Sequence, residues 1–245
     1  FETDNKDGLR HDVFYADQLN RLKTPQGRLA NADLAHLKAV YDAQIYYLDQ
    51  GLGGLFTALN NLDLTDRTVI IILSDHGQAF GEHGEYTTHA QLYDEIIRTA
   101  LIIKDPRRRL QGARIPNVVQ LVDVMPTILE LLDIPLPSGV AGRSLVPVLD
   151  TGRDPEREEI AVTLFDGVGM ASIRTAEWKL VMLNGAPAEL YHLSRDPGEQ
   201  TNRINEDPSV VRKLQERLSE VTGSTGQAPA PSGDPKEWLQ KHGYW

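Results

Sequence analysis

Between residues 31 and 60 the apolar positions follow a helical rhythm. Tyr41, Ile45, Leu48, Leu52, Leu55 and Leu59 recur at steps of four and three, which places them on one helix face. Gly51, Gly53 and Gly54 fall inside this pattern and cost helix stability, so they predict close packing against a neighbouring backbone or a break. The rhythm then changes. Residues 68–73 read Thr-Val-Ile-Ile-Ile-Leu, an aliphatic run rich in β-branched residues that predicts a strand buried on both faces. Helix, polar link over 62–67 and strand make half of an α/β unit. Residues 78–91 predict a loop, 92–98 a short helix or turn, and 99–103 a second apolar strand stopped by Lys104-Asp105-Pro106.

Residues 117–132 predict another helix, with Asp123 a candidate N-cap and Pro126 in the first turn, where it is tolerated. Residues 134–143 read as a Pro/Gly-rich loop. From Glu159 the texture shifts to short strands at 160–165, 170–174 and 178–183, with a fourth candidate at 190–193, which together predict an antiparallel sheet. An amphipathic helix follows over 209–221, then a Gly/Ser/Pro/Ala linker over 223–233. Trp238, Leu239, Tyr244 and Trp245 end the chain with apolar groups expected to dock back on the body. Residues 1–27 predict irregular structure. The expected organisation is an α/β domain over 1–158, a small sheet-plus-helix subdomain over 159–222, and a tail over 223–245.

Composition narrows the function classes. The chain has 245 residues, 40% of them hydrophobic, enough for one large domain or one domain with a small companion. A net charge of −10 argues against nonspecific binding to nucleic acid or an anionic membrane surface, while leaving room for a local basic cleft around an anionic group. The absence of Cys excludes disulfides, thiolate metal sites and a Cys-derived nucleophile within these residues. No run approaches the roughly 20 apolar residues of a membrane span. The chain opens on Phe1 and carries no charged-then-apolar leader, so the start of the gene product is expected upstream. Localisation stays open between periplasmic or secreted and cytoplasmic, as does oligomeric state.

The chemistry begins where the first strand stops. Ser74-Asp75-His76-Gly77 follows Leu73 directly, so a carboxylate and an imidazole stand at the carboxyl end of a strand. Ligand sites of open parallel sheets lie at such ends, and both groups ligate metals. For an isolated Asp-His-Gly, a turn cap and a surface His would suffice. The loop beyond adds Glu82, His83, Glu85 and His89. Glu82 and Glu85 read as solvated, His83 as either a support of the site or ordinary loop packing, and Asp94 with Arg98 as a structural pair. His192 and Trp178 read as core of the small sheet.

Taken in order, these features resemble the C-terminal half of a sulfatase of the alkaline-phosphatase-like superfamily. The resemblance is carried by residues 41–54, by Ser74-Asp75-His76-Gly77 with Gly81-Glu82-His83-Gly84, and by His89 with Leu92-Tyr93-Asp94-Glu95 and Arg98. It continues in Asp123-Val124-Met125-Pro126-Thr127, Gly142-Arg143-Ser144-Leu145, Glu189-Leu190-Tyr191-His192-Leu193, Asp196-Pro197-Gly198-Glu199 and Asn202, and in Lys241-His242-Gly243-Tyr244. It implies a partial three-layer α/β/α sandwich with a smaller C-terminal antiparallel sheet plus helix. It implies a metal-dependent sulfuric ester hydrolase acting on a small-molecule or carbohydrate sulfate ester. One divalent metal would be held by Asp75, His76 and two groups outside this chain. A formylglycine nucleophile, also outside it, would attack sulfur. His89 would contact the ester oxygens and assist the leaving group, with His83 beside the substrate.

His76 departs from the Asn that many sulfatases place there around Ca²⁺. An imidazole favours Mn²⁺ or Zn²⁺ over calcium, a hard oxygen-seeking ion. Asp-His at this turn also resembles phosphonate monoester hydrolases and phosphodiesterases of the same superfamily, which are the alternative enzyme class. A non-catalytic binding module that keeps the scaffold is the alternative outside enzymes. Without the nucleophile segment, this chain alone is expected to be inactive.

Overall fold

A computed structural model describes residues 28–84, 86, 91–107, 112–140, 142–153, 161–165 and 169–222, with backbone alone at 161–165. The expectations placed on residues 1–27, on Glu85 and His89, and on the linker and tail from 223 onward lie outside the described residues. The chain divides into two units, residues 1–89 with 98–107, and residues 90–97 with 108–245.

In the first unit a 31-residue helix, α1 (Asn31–Asn61), runs unbroken through its three glycines. A Cβ added at Gly51, Gly53 or Gly54 would meet nothing within 4 Å, so neither a break nor close packing explains them among the described residues. The helix ends where Asp63 turns left-handed at φ 54 and Leu64 N–H reaches back to Leu59 O at 2.9 Å. Thr68 Oγ1 then donates to Leu64 O at 2.8 Å, closing the link into β1 (Ile70–Leu73).

β1 pairs with β2 (Leu101–Lys104), with Ile70 opposite Lys104 and Leu73 opposite Leu101. The pairing is antiparallel, and Leu73 and Ile102 are exposed. Residues 70–73 form the strand predicted over 68–73, but among the described residues it is not buried on both faces. An aliphatic run reports the capacity to be buried, not the number of neighbours the strand finds. The predicted apolar face of α1 is likewise present, but only Leu37 of the helix is buried, while Ile45, Tyr46, Leu48, Leu55 and Phe56 are exposed.

The second unit holds α2 (Asp94–Ile97), a 3₁₀ turn (Leu121–Asp123) running into α3 (Val124–Leu131), α4 (Val146–Thr151), and four strands. β3 (Ala161–Phe165), β4 (Met170–Arg174), β5 (Trp178–Leu183) and β6 (Ala186–His192) form an antiparallel meander in that order. α5 (Pro208–Thr222) follows. Ala171, Ile173, Leu180, Met182 and Leu190 alternate onto one sheet face and bury with Leu214 and Leu218 of α5. Truncating either leucine would cost about 2–5 kcal/mol.

Two of the sequence motifs prove to be halves of one staple. Asp123 is 1% exposed; its Oδ2 accepts Gln120 N–H at 2.7 Å and its Oδ1 accepts Arg143 N–H at 2.8 Å. Thr127 Oγ1 donates to Asp123 O at 2.6 Å and accepts Leu145 N–H at 2.8 Å. Asp123 therefore serves the 3₁₀ turn and the 142–145 loop, and its side chain does not cap α3 as predicted. Gly142 sits at φ 90, where a Cβ would stand 2.2 Å from Val122 O. α4 was not foreseen; its six residues are too few to show a helical period.

Candidate functional site

Pairing of the two strands continues one residue past β1. Ser74 N–H donates to Ala100 O at 3.1 Å, and Ala100 N–H donates to Ser74 Oγ at 2.9 Å. The chain is thus held up to the threshold of Asp75. Asp75 Oδ1 accepts the His76 backbone N–H at 2.9 Å. His76 Nδ1 lies 2.8 Å from Gly77 O. A carbonyl only accepts, so this contact assigns the proton to Nδ1 and leaves the Nε2 lone pair open. That Nε2 stands 3.7 Å from Asp75 Oδ2.

The two groups therefore converge and do not point to opposite sides of the turn. Their side chains are exposed, 87% for Asp75 and 51% for His76. A carboxylate oxygen and an imidazole nitrogen at this separation fit two donors to one cation, with the backbone bond on Nδ1 fixing the ligating tautomer. Two donors do not complete a coordination shell. Among the described residues no third His, Asp or Glu joins them in a metal-holding group.

The loop beyond the pair folds against the start of α1. Tyr86 is buried with Leu29 and Leu37, against Leu34 and Phe80, and its hydroxyl accepts Leu29 N–H at 3.1 Å. Phe80 meets Tyr41 edge-on at 5.3 Å, with Lys38 Nζ 5.6 Å above its ring. Gln78 Nε2 donates to Tyr86 O at 3.2 Å. Gly81 is at φ 92 and its hydrogen faces the Tyr86 ring, where a Cβ would come within 2.6 Å. Glu82 accepts Phe80 N–H, so it shapes the turn. His83 is half-buried in that turn.

A second constellation lies within the other unit, and the sequence reading missed most of it. Asp94 does not pair with Arg98 as expected; Lys179 Nζ reaches its Oδ1 at 3.0 Å and Arg174 Nη2 its Oδ2 at 3.3 Å. Two cations from the small sheet take its carboxylate, whereas Arg98 lies one residue past the end of the four-residue helix. Lys179 also lies 2.7 Å from Glu199 Oε1, with side-chain exposures of 0% and 1%. Burial pushes the Glu199 carboxyl above its ordinary value, against the pull of Lys179 and of the Asp94 N–H bonded to it at 2.6 Å. Tyr93 donates to Glu189 at 3.1 Å and meets Tyr191 edge-on at 6.1 Å. Burial and the Glu189 charge push Tyr93 up to about 12, and burial raises Tyr191 further. The available signal was a lysine inside an otherwise apolar strand, Trp178-Lys179-Leu180-Val181-Met182-Leu183.

The rest of the C-terminal signature is structural. Asn202 Oδ1 accepts Leu190 N–H at 3.0 Å and its Nδ2 donates to Ala188 O at 3.1 Å, so it acts as an added rung on β6. Asp196 accepts Gln200 and Thr201 N–H at 3.1 and 2.8 Å. His192 is buried, as expected, with Trp178 at 4.3 Å and Glu177 Oε1 3.2 Å from its Nε2.

Comparison with known proteins places these features in a family. The family model described as Sulfatase matches residues 8–134, and that described as N-sulphoglucosamine sulphohydrolase, C-terminal, matches residues 81–224. Arylsulfatase K of Mus musculus is 29% identical over 212 residues, covering 81% of this chain and 38% of that protein. The chain spans about two fifths of the length of the curated relatives it matches, 38–41%. Among solved structures, BT4656 in complex with its substrate D-glucosamine-2-N,6-O-disulfate is 26% identical with a TM-score of 0.67, covering 74% of this chain and 39% of that one. The phosphonate monoester hydrolase of Agrobacterium radiobacter is 26% identical with a TM-score of 0.68, covering 78% and 42%. The fold is thus a partial alkaline-phosphatase-like α/β fold, and the chain belongs to the sulfatase family.

Proposed function

We propose that this chain is the C-terminal portion of a metal-dependent sulfuric ester hydrolase, with Asp75 and His76 as two of the protein ligands to one divalent cation. The observation that carries this is their convergence, Nε2 to Oδ2 at 3.7 Å, at the end of a strand in a chain of the sulfatase family. A cation held there would neutralise charge gathering on the sulfuryl oxygens. The chain's own residues supply the holding. Ser74 fixes the strand end, the Gly77 carbonyl holds His76 in one tautomer, and Tyr86 packs the following loop onto α1. The remaining ligands and the formylglycine nucleophile belong to polypeptide beyond these residues. His89 is assigned the contact with the ester oxygens and a proton for the leaving group, as a general acid. The glucosamine disulfate bound by a structural relative supports a sulfated carbohydrate as substrate.

A second reading is favoured by His76 itself. Its imidazole suits Mn²⁺ or Zn²⁺ better than Ca²⁺, and the likeness to a phosphonate monoester hydrolase equals that to BT4656 in identity. The test is elemental analysis of the full gene product with paired assays on an aryl sulfate and an aryl phosphonate ester. Sulfate ester turnover with about one metal per chain supports the proposal. Turnover of the phosphonate alone transfers it to the second reading, and turnover of neither removes both. In the active enzyme, Asp75→Ala and His76→Ala should each lower metal occupancy and cut turnover by more than about 100-fold.

A further inference from the structure

β5 and β6 are joined by two residues only. Leu183 pairs with Ala186, which leaves Asn184-Gly185 as the loop. Asn184 stands at φ 50 and Gly185 at φ 79, the two left-handed positions that a type I′ hairpin turn requires and that Asn-Gly adopts most readily.

The same pair carries a reaction that the fold does not need. A backbone nitrogen following Asn can attack the side-chain amide carbon and close a succinimide ring. The usual obstacle is the side chain of the following residue, which shields that nitrogen; Gly185 has none. Asn184 is the only Asn of the chain followed by Gly. It is exposed, and Gly185 is half-buried. Among the described residues the Gly185 N–H makes no hydrogen bond, and neither does the Asn184 side-chain amide. Closure requires the Asn184 carbonyl to swing until the Gly185 nitrogen faces Cγ. The loop lies at a hairpin end between exposed Leu183 and Ala186, where local opening costs least. Other asparagines are better held. Asn60 sits in α1, Asn117 is buried, and Asn202 has both ends of its amide bonded to β6.

We propose that Asn184 is a site of spontaneous covalent modification, the first asparagine of this chain to convert in the folded protein. Gly185 N bonds to Asn184 Cγ, and the Nδ2 group leaves as ammonia with the proton that Gly185 N gives up. Water then opens the succinimide at either carbonyl. One opening leaves aspartate. The other leaves isoaspartate, in which the main chain runs through the former side chain. The sum consumes one water and releases one ammonia, with no change of oxidation state.

Isoaspartate has a mechanical consequence. It adds a methylene to the backbone of a minimal hairpin loop. Asn184 N–H donates to Gly169 O at 2.8 Å, and its Oδ1 stands 2.6 Å from where a Cβ on Gly169 would be, so the loop also fastens the residue that leads into β4. The lengthened loop cannot keep both this bond and the Leu183–Ala186 pairing, and this end of the small sheet loosens.

The test ages the full gene product in mildly alkaline buffer at body temperature and follows it by peptide mapping with mass spectrometry. The peptide holding Asn184 should gain the mass of deamidation at least about tenfold faster than those holding Asn60, Asn117 or Asn202. Isoaspartate should be its main product, detected by enzymatic carboxyl methylation. Asn184→Gly keeps a loop of two residues that accept positive φ and removes the amide. It should gain no mass there and hold its melting temperature through ageing, while the aged parent loses some. Should Asn184→Gly fold poorly, the mapping of the parent decides alone. Earlier conversion of another asparagine of this chain overturns the inference. So does conversion in urea but not in the folded protein, since the turn would then shield the pair. Equal loss of melting temperature in the aged parent and aged Asn184→Gly overturns the mechanical consequence.

Discussion

His76 shows how one backbone contact orients an imidazole ring. With Nδ1 committed to the Gly77 carbonyl, Nε2 is presented beside the Asp75 carboxylate. Gly142 shows the complementary case, a residue chosen for what it lacks. At φ 90, with Val122 O 2.2 Å from where a Cβ would be, no other residue type fits without movement. Gly142→Ala should destabilise the second unit by at least about 1–3 kcal/mol from backbone strain alone. Denaturant melts read by tyrosine and tryptophan fluorescence would show it, and a midpoint equal to the parent's would refute the tight approach. Gly51, Gly53 and Gly54 have no such reason in the structure.

At the scale of elements, the small sheet is held by apolar packing on one face and by charge and hydroxyl groups on the other. Tyr93 belongs to the second kind, and its phenol is held protonated to about pH 12 by burial and Glu189. The ordinary tyrosine value is 10.0, so the folded state holds this proton more tightly than the unfolded chain. Stability from this source is complete below about pH 10 and is lost as pH climbs toward 12. Tyr191 acts in the same direction. Alkaline titration followed by circular dichroism should therefore show unfolding that begins above pH 10 and is shallower in Tyr93→Phe. A parent whose stability stays flat through this range would contradict the assignment.

For the whole molecule, the division into two units has a consequence for metal dependence. Both proposed ligands lie in the first unit, whereas the β3–β6 sheet and α5 have their own core. Any metal bound to the folded state stabilises it by mass action. Chelation of the full gene product should speed amide exchange in β1 and the 75–84 turn and leave β4–β6 unchanged. Uniform acceleration across both units would mean that the cation is held elsewhere or that the units unfold as one. Among the described residues no helix is long and apolar enough to cross a membrane.

Local pattern determined much of this protein. Helical spacing marked α1 and α5, alternation and turn residues marked the strands of the small sheet, and Asp75-His76 at a strand end marked the candidate ligands, because each depends on neighbours close in sequence. Family signatures such as Asp123 to Thr127 and Gly142 to Leu145 were legible as words but not as a sentence; only folding brought the Asp123 carboxylate to the Arg143 amide. The same holds for Asp94, which meets Lys179 and Arg174 across long stretches of chain. A charge chooses its partner by distance and desolvation in three dimensions, and neither quantity is written in one.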